Sequence, residues 1–374
     1  MDSKKWLFTD NGARWKRNTK FENMLSYKAD KSNFWKYVYV GYYRLIDGKF
    51  YKKGLNLINK QIDTFYERNN YLPFKRKELV VDMVYSLHRF GAMFDEYFLF
   101  KFYEKNAIGR DAFICDKYRF EYYKMLNLTE NRHLFDNKNE TYVLFQKYYD
   151  RELLFCQGEE DFSAFLAFVT KHSSFIIKPF DSSGGRGIRK ETLTVDAAKS
   201  FFEVELSKGK FIVEEVIQQS AYMKVLHPES VNTVRVFTVV CKEEVKLFAC
   251  FLRVGRGNAV IDNAFAGGII CAVDAKTGIV YSVGRTEKQE VFLCHPDTNV
   301  PIVGFQLPDW EDAIALCKAL SGVVKENRCI GWDIAHTENG WVMVEGNCRG
   351  QIGVQQISDG IGKKQMLLDM IHDV

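Results

Sequence analysis

Apolar residues recur at two different intervals along this 374-residue chain. Through about residue 135, segments such as LINKQIDTFYERN and KELVVDMVYSLHRFGAMFDEYFLFKFYEK repeat them every three to four positions, the period of a helix buried along one stripe. From about residue 174 the interval shortens to two, in β-branched and aromatic runs separated by glycine-rich turns. Strands are predicted at 174–178, 211–216, 231–241, 245–254, 268–273, 279–283, 329–336 and 341–346, with helices near 195–207 and 309–326. Asp309 is placed to cap the second helix, whose Ala313, Ile314, Cys317, Leu320 and Val324 share a face. The short turns DAKTG (274–278) and TENG (337–340) join strands directly, so the β part is made of antiparallel hairpins and not of βαβ crossovers. The fold class that follows is α+β, preceded by a mainly helical N-terminal region.

Hydrophobic residues make up 47% of the chain and aromatic residues 15%, a composition that builds packed cores and excludes a disordered polymer. No apolar run reaches the roughly 18 residues of a membrane span, and MDSKKWLFTDNGARWKRN lacks the apolar centre of a signal peptide, so a cytoplasmic chain is expected. The nine cysteines are scattered without a CxxC pair, which argues against a disulfide framework or a zinc site and for core thiols. Charge is uneven: residues 1–80 hold 18 Lys and Arg against 8 Asp and Glu, or +10, which leaves −6 for residues 81–374 of the total +4. Interleaved with Trp6, Trp15, Phe34, Trp35, Tyr37 and Tyr39, this excess suits a membrane surface, an anionic glycan or nucleic acid, or simply a solvated helical face. No nucleic-acid module accompanies it, and no nucleic acid is expected.

The stretch FIIKPFDSSGGRGIRK (175–190) begins as a buried strand and turns into a loop of Ser182, Ser183, Gly184, Gly185, Arg186 and Gly187. Bare backbone of this kind approaches a ligand closely and aims several N–H groups at one spot, which suits phosphate oxygens. Arg186 and, at the end of the strand, Lys178 add charge. Neither a P-loop nor a dinucleotide fingerprint is present, and a glycine-rich hairpin tip is the competing reading.

In CIGWDIAHTENGWVMVEGNCRG (329–350) two strand-like runs flank a turn. A three-residue loop of Glu338, Asn339 and Gly340 pairs Thr337 with Trp341 and sets Asp333 across from Glu345, on a face shared with Asn347. Two facing carboxylates repel unless neutralised, and with an amide oxygen they form a suitable set for Mg²⁺, which commonly binds nucleotide phosphates as well. An exposed cross-strand pair beside a turn is the alternative. Loop and carboxylates together describe a site for a metal-bound polyphosphate nucleotide.

Four stretches in this order resemble the ATP-grasp superfamily, and more narrowly the sugar-transfer-associated ATP-grasp family found among bacterial surface-polysaccharide genes. They are DNKNETYVLFQKYYDREL (136–153), FIIKPFDSSGGRGI (175–188), LHPESVNTVRVFTVV (226–240) and WDIAHTENGWVMVEGNCRG (332–350), and DNAFAGGIICAVDAKTGIV (262–280) is similar to a further family block. The likeness covers roughly residues 110–360 and is loose before that. It implies an ATP-grasp fold, with two α+β lobes gripping ATP: a helical, basic and aromatic region at 1–110, a linking region at 111–173, a small lobe with the glycine loop at 174–220 and a large catalytic lobe at 221–374. It further implies Lys138 and Lys178 at the ATP phosphates, residues 182–187 closing over them, and FIVEEVI (211–217) as the hinge against adenine. There Glu214 gives a side-chain contact and Glu215, Val216 and Ile217 backbone ones. Arg235 would face the γ-phosphate, Asp333, Glu345 and Asn347 would hold Mg²⁺, and Arg349 would meet a substrate carboxylate or the transferring phosphoryl group. The acidic ribose contact usual after the hinge has no counterpart in QQSAYMK. His227, His336 and Cys348 show no nucleophile and base arrangement and are read as spectators.

The activity the resemblance implies is an ADP-forming carboxylate–amine ligase working through an acyl phosphate. Its expected substrates are an amino acid or other amine and a sugar acid or amino sugar of a surface glycan. A kinase acting on a sugar or polyol hydroxyl, and a non-catalytic nucleotide-binding partner of a glycan assembly complex, are the alternatives.

Overall fold

The computed structural model describes residues 19–46, 48–180, 187–259 and 267–374. The chain divides into two compact units, one comprising the residues up to Met125 with Gln351–Asp369, the other Leu126–Gly350 with Met370–Val374. The first is helical: α1 (Thr19–Ala29), α2 (Asn33–Ile46), α3 (Gly48–Asn69), α4 (Arg76–Phe90), α5 (Phe94–Leu99) and α6 (Ala107–Asp111). On α4 the helical period buries Leu79, Met83, Val84, Leu87 and Phe90, and the Glu78 carboxylate closes the first turn by accepting the Lys75 N–H at 3.2 Å. Aromatic residues fill the core, with Phe65 stacked on Phe98 at 4.5 Å. Gln356 ties the returning segment to this unit, accepting from the Ile114 N–H at 3.0 Å and donating to the Ile114 carbonyl at 2.9 Å. Among the described residues no helix is long and apolar enough to cross a membrane.

The second unit holds two antiparallel sheets. The smaller has β1 (Leu153–Cys156), β2 (Ser174–Pro179), β3 (Arg189–Thr192) and β4 (Phe211–Glu215) in the order β1-β4-β2-β3. Its apolar face packs Phe175, Ile177, Phe211 and Val213 against Phe165, Phe168 and Phe202 of the helices Phe162–Lys171 and Ala198–Lys208. The larger has β5 (Thr233–Val240), β6 (Val245–Val254), β7 (Ile269–Ala272), β8 (Gly284–Arg285), β9 (Val291–Phe292), β10 (Cys329–Thr337) and β11 (Gly340–Asn347), in the order β11-β10-β5-β6-β7-β8-β9. Val234, Val236, Cys250, Leu252, Trp332, Ile334 and Met343 belong to its core, with Ala313, Cys317 and Leu320 of the helix Trp310–Ser321. All nine cysteines are free thiols and eight of them are buried, as expected of core residues.

Three sequence expectations need correcting here. The segment 279–283 forms only isolated bridges, Val273 with Val280 and Ile279 with Gln306, and the next strand begins at Gly284. Asp309 stands at the N-terminal position of its helix but does not cap it; its carboxylate meets His336 Nε2 at 3.1 Å instead. Strands β1 and β3 were not anticipated, being four residues each, and β3 carries the charged sequence RKET of an edge strand.

The turn at 274–278 is closed by Asp274, whose Oδ1 accepts from the backbone of Lys276 at 2.9 Å and Thr277 at 2.8 Å. Gly278 follows with φ +72, and a Cβ there would lie 2.4 Å from Cγ of Trp310, the residue that opens the helix packed on the large sheet. Gly278→Val therefore imposes both backbone strain and a clash and is expected to cost about 2–4 kcal/mol, read as a lower thermal unfolding midpoint. An unchanged midpoint would refute this account of the turn.

Candidate active site

Alternation along β10 sends Trp332 and Ile334 into the core and Asp333 to the other face. In register, Asp333 lies between Arg235 of β5 and Glu345 of β11. Arg235 clamps it, Nε donating to Oδ1 and Nη2 to Oδ2, each at 2.5 Å. Arg253 of β6 adds an Nη2 bond to Oδ2 at 3.0 Å while donating to Thr233 Oγ1 at 3.0 and 2.8 Å. Full burial on its own would raise the Asp333 pKa; the guanidiniums of Arg235 and Arg253 outweigh it and hold the carboxyl at about 2. Glu345 differs. Lost hydration of its carboxyl, followed by the negative Asp333, pushes its pKa up, although the side chain as a whole keeps 57% of its surface open. Arg235 Nη2 lies 3.5 Å from Glu345 Oε1, and Asn347 Nδ2 donates to the same oxygen at 3.1 Å.

Asp333 and Glu345 face each other as the sequence led us to expect, but by a different route. The turn is a two-residue loop, Glu338 and Asn339, with Thr337 paired to Gly340 and His336 to Trp341. A β-bulge after Asp333 then shifts the register: Ile334 pairs with Met343, Asp333 with Glu345, and Val344 is the extra residue. Arg151 reaches the backbone at the bulge, donating to Met343 O at 2.7 Å and Val344 O at 3.2 Å.

The same guanidinium reaches the small sheet. Arg151 Nε and Nη2 lie 3.4 Å from Glu214 Oε2, and Lys178 Nζ sits 2.6 Å from Glu214 Oε1. Burial alone would raise the Glu214 pKa, yet Lys178 and Arg151 bring it below the usual carboxylate value. Lys138 opens the helix Lys138–Phe145, capped by Asn137, and its Nζ donates to the carbonyl of Phe180 at 2.6 Å and of Pro179 at 3.4 Å. Both lysines thus gather at the end of β2. Ser182, Ser183, Gly184, Gly185 and Arg186 lie outside the described residues. Gly187 is described, with φ +74 and a Cβ position only 2.8 Å from Pro179 Cγ, so the chain leaving the loop passes close to the strand end.

Beyond Glu214, Glu215 Oε2 accepts the Glu152 N–H at 3.1 Å, and Val216 and Ile217 run on outside the sheet toward Gln219, which bridges to Thr337 at the end of β10. Arg349 is exposed, two residues past Asn347. His336 bonds Ser220 Oγ at 2.9 Å as well as Asp309, His227 bonds Ser230 Oγ at 2.8 Å and Gly257 O at 3.0 Å, and burial pushes the Cys348 thiol up to about 11. Both histidines thus have hydrogen-bond partners within the fold. The residues that the sequence reading missed are Arg151 and Arg253; the second had a signal, as a cation directly after the apolar run Leu247–Leu252 of β6.

Among the described residues no group of three His, Cys, Asp or Glu could hold a metal. A hard cation would instead rely on two carboxylates, Asp333 and Glu345, with the amide oxygen of Asn347. The donor set fits Mg²⁺ in kind, being all oxygen, and a cation would relieve the repulsion that raises the Glu345 pKa.

The two carboxylates should respond oppositely to neutralisation. Asp333→Asn leaves Arg235 and Arg253 without their buried counter-charge and is expected to cost about 3 kcal/mol at neutral pH. Because the folded pKa is depressed, that contribution is complete above the ordinary carboxylate range and is lost as pH falls through about 2. Glu345→Gln removes a charge whose raised pKa makes it unfavourable in the folded chain above that pKa, so the midpoint of the ligand-free protein should rise. Thermal melts of both variants near neutral pH check the signs.

No curated protein sequence matches the chain significantly. Solved structures give remote matches. The ATP-grasp ligase PsnB, complexed with a phosphomimetic variant of its minimal precursor, Mg and ADP, has 14% identity and a TM-score of 0.41 over 66% of this chain and 61% of that one. D-Alanine–D-alanine ligase from Helicobacter pylori has 13% identity and a TM-score of 0.40 over 66% and 60%. The chain thus spans about three fifths of the length of these proteins. A family model described as sugar-transfer associated ATP-grasp matches residues 117–371, more than half of the chain, and takes in both sheets and every proposed site residue. The chain belongs to the sugar-transfer associated ATP-grasp family.

Proposed function

We propose that this protein is an ATP- and Mg²⁺-dependent carboxylate–amine ligase that joins an amino acid or other amine to a carboxylate-bearing sugar or glycan intermediate of a bacterial surface polysaccharide. One observation carries the nucleotide part: Arg151 bonds both Glu214, the partner of Lys178, and the bulge carbonyls beside Glu345. The expected adenine-side acid is thereby tied to the backbone of the strand that carries the expected metal-side acid. The sugar part rests on the family description alone.

On this reading Lys138 and Lys178 neutralise the ATP phosphates and Arg235 the γ-phosphoryl group, while Arg349 orients the acceptor carboxylate. The backbone of 211–217 receives adenine. Asp333, Glu345 and Asn347 hold Mg²⁺, which would supply charge neutralisation at the β- and γ-phosphates. A carboxylate oxygen attacks the γ-phosphorus as its bond to ADP breaks. The amine then attacks the acyl carbon, the carbon–oxygen bond to phosphate breaks, and the amine loses its proton. Residues 182–187 serve to keep water from the acyl phosphate.

The test is ADP and phosphate release with ATP, Mg²⁺, pooled amino acids and pooled uronic acids. Wild type should require both pools, and Glu345→Gln and Lys178→Ala should each lower release by about 100-fold or more. Release with a hydroxyl acceptor and no amine, without free phosphate, would instead mean a kinase. Nucleotide binding without turnover in any pool would mean a binding partner.

A further inference from the structure

The helical unit contains a cavity of about 330 Å³ lined by Asp30, Lys31, Ser32, Asn33, Lys36, Tyr85, Lys105, Asn106, Ala107 and Arg110. Three lysines and an arginine are a heavy cationic load for so small a space, and the acids near it are already committed. Asp30 accepts the Tyr85 hydroxyl and two bonds from Arg89, at 3.2 and 3.1 Å. Asp82, beneath the floor, accepts from Arg110 at 2.9 and 2.6 Å, Tyr97 at 2.6 Å and Lys36 at 2.7 Å. Lys36 and Arg110 thus share Asp82, Arg89 takes Asp30, Lys31 Nζ donates to the Tyr27 hydroxyl and Lys105 has Glu104 nearby. Five cations meet three carboxylates, and two positive charges are in excess.

Two further observations say where the excess points. Lys105 has its pKa lowered, by burial first, with the Glu104 carboxylate opposing and Lys101 adding to the fall. The 14-residue α2 starts at the cavity wall with Ser32 and Asn33, and its first turn contains no acidic side chain to match the positive end of the helix. Tyr85 supplies an aromatic wall, 5.1 Å from Lys36 Nζ.

We infer that this cavity binds a phosphate ester of monosaccharide size, its phosphate held by Lys31, Lys105 and the first turn of α2. A carboxylate brings one negative charge to this set, whereas a phosphate monoester brings close to two, spread over three terminal oxygens. The volume lies at the lower end of small-molecule pockets and matches one sugar ring. The inference concerns the helical unit and stands whether or not the ligase reading holds.

The experiment titrates the full chain with glucose monophosphate in saturating ADP and Mg²⁺, so that the nucleotide site does not contribute, and compares glucuronate and vesicles containing phosphatidic acid. Binding of glucose monophosphate with a Kd below about 1 mM is expected, weakened by about tenfold or more in Lys31→Ala, Lys105→Ala. Lys101→Ala, whose side chain is half exposed and outside the cavity, should bind as wild type does and controls for a general loss of charge. Phosphatidic acid bound in place of the free ester, with the same loss in the double variant, would identify the phosphate as a lipid headgroup. Glucuronate binding as tightly as the ester, an unchanged Kd in a double variant that melts like wild type, or no binding of either phosphate source, would overturn the inference. Should the double variant unfold, Lys31→Gln and Lys105→Gln singly give the same reading.

Discussion

The large sheet is organised about a carboxylate that has no contact with water. Asp333 is fully buried, and an ionised carboxylate in that position is tolerable only if its charge is met in place. Arg235 meets it from the neighbouring strand β5 and Arg253 from β6, the strand beyond, so one charge cluster links three consecutive strands across the middle of the sheet. A slip of β10 by one residue would turn Asp333 into the apolar core and Trp332 out of it. The same cluster therefore helps to fix the strand register and places the acid beside Glu345.

The fourth strand, β11, joins this arrangement through an irregularity. An uninterrupted ladder from the two-residue turn would have brought Asp333 opposite Val344; the extra residue moves Glu345 into that place. Arg151 supplies hydrogen bonds to the carbonyls of Met343 and Val344 at the bulge while holding Glu214 of the small sheet. The chemistry of the small sheet, centred on Lys178, is thus connected to that of the large sheet through one guanidinium.

Much of this was legible in the sequence because it follows from period and turn chemistry. Strands β2, β4, β5, β6, β7, β10 and β11 were all visible as alternating or apolar runs, and the pairing of Asp333 with Glu345 followed from the spacing of carboxylates about a glycine turn. The reasons were less legible. A three-residue turn and a two-residue turn followed by a bulge give the same pairing at Asp333, and only backbone geometry separates them. Four-residue strands such as β1 and β3 have too few residues to show a period. Arg151 gains its meaning from partners 63 residues away at Glu214 and 192 away at Met343, and Asp309 was drawn from its expected cap by His336. Contacts of that range depend on the fold and leave no local mark.

The proposed phosphate ligands are not bare cations awaiting an anion. Lys178 is bound to Glu214, and Arg235 to Asp333, within the ligand-free chain. If the ligase reading holds, a nucleotide must share these cations with protein carboxylates, and a weakly charged phosphate would gain little from doing so. A triphosphate carrying Mg²⁺ is in a different position, since its metal can take up Asp333 and Glu345 as its oxygens share the cations that Asp333 and Glu214 now hold. The internal ion pairs would then act as a threshold: they keep the charged site folded without ligand, and they favour the one class of ligand that brings both signs of charge at once.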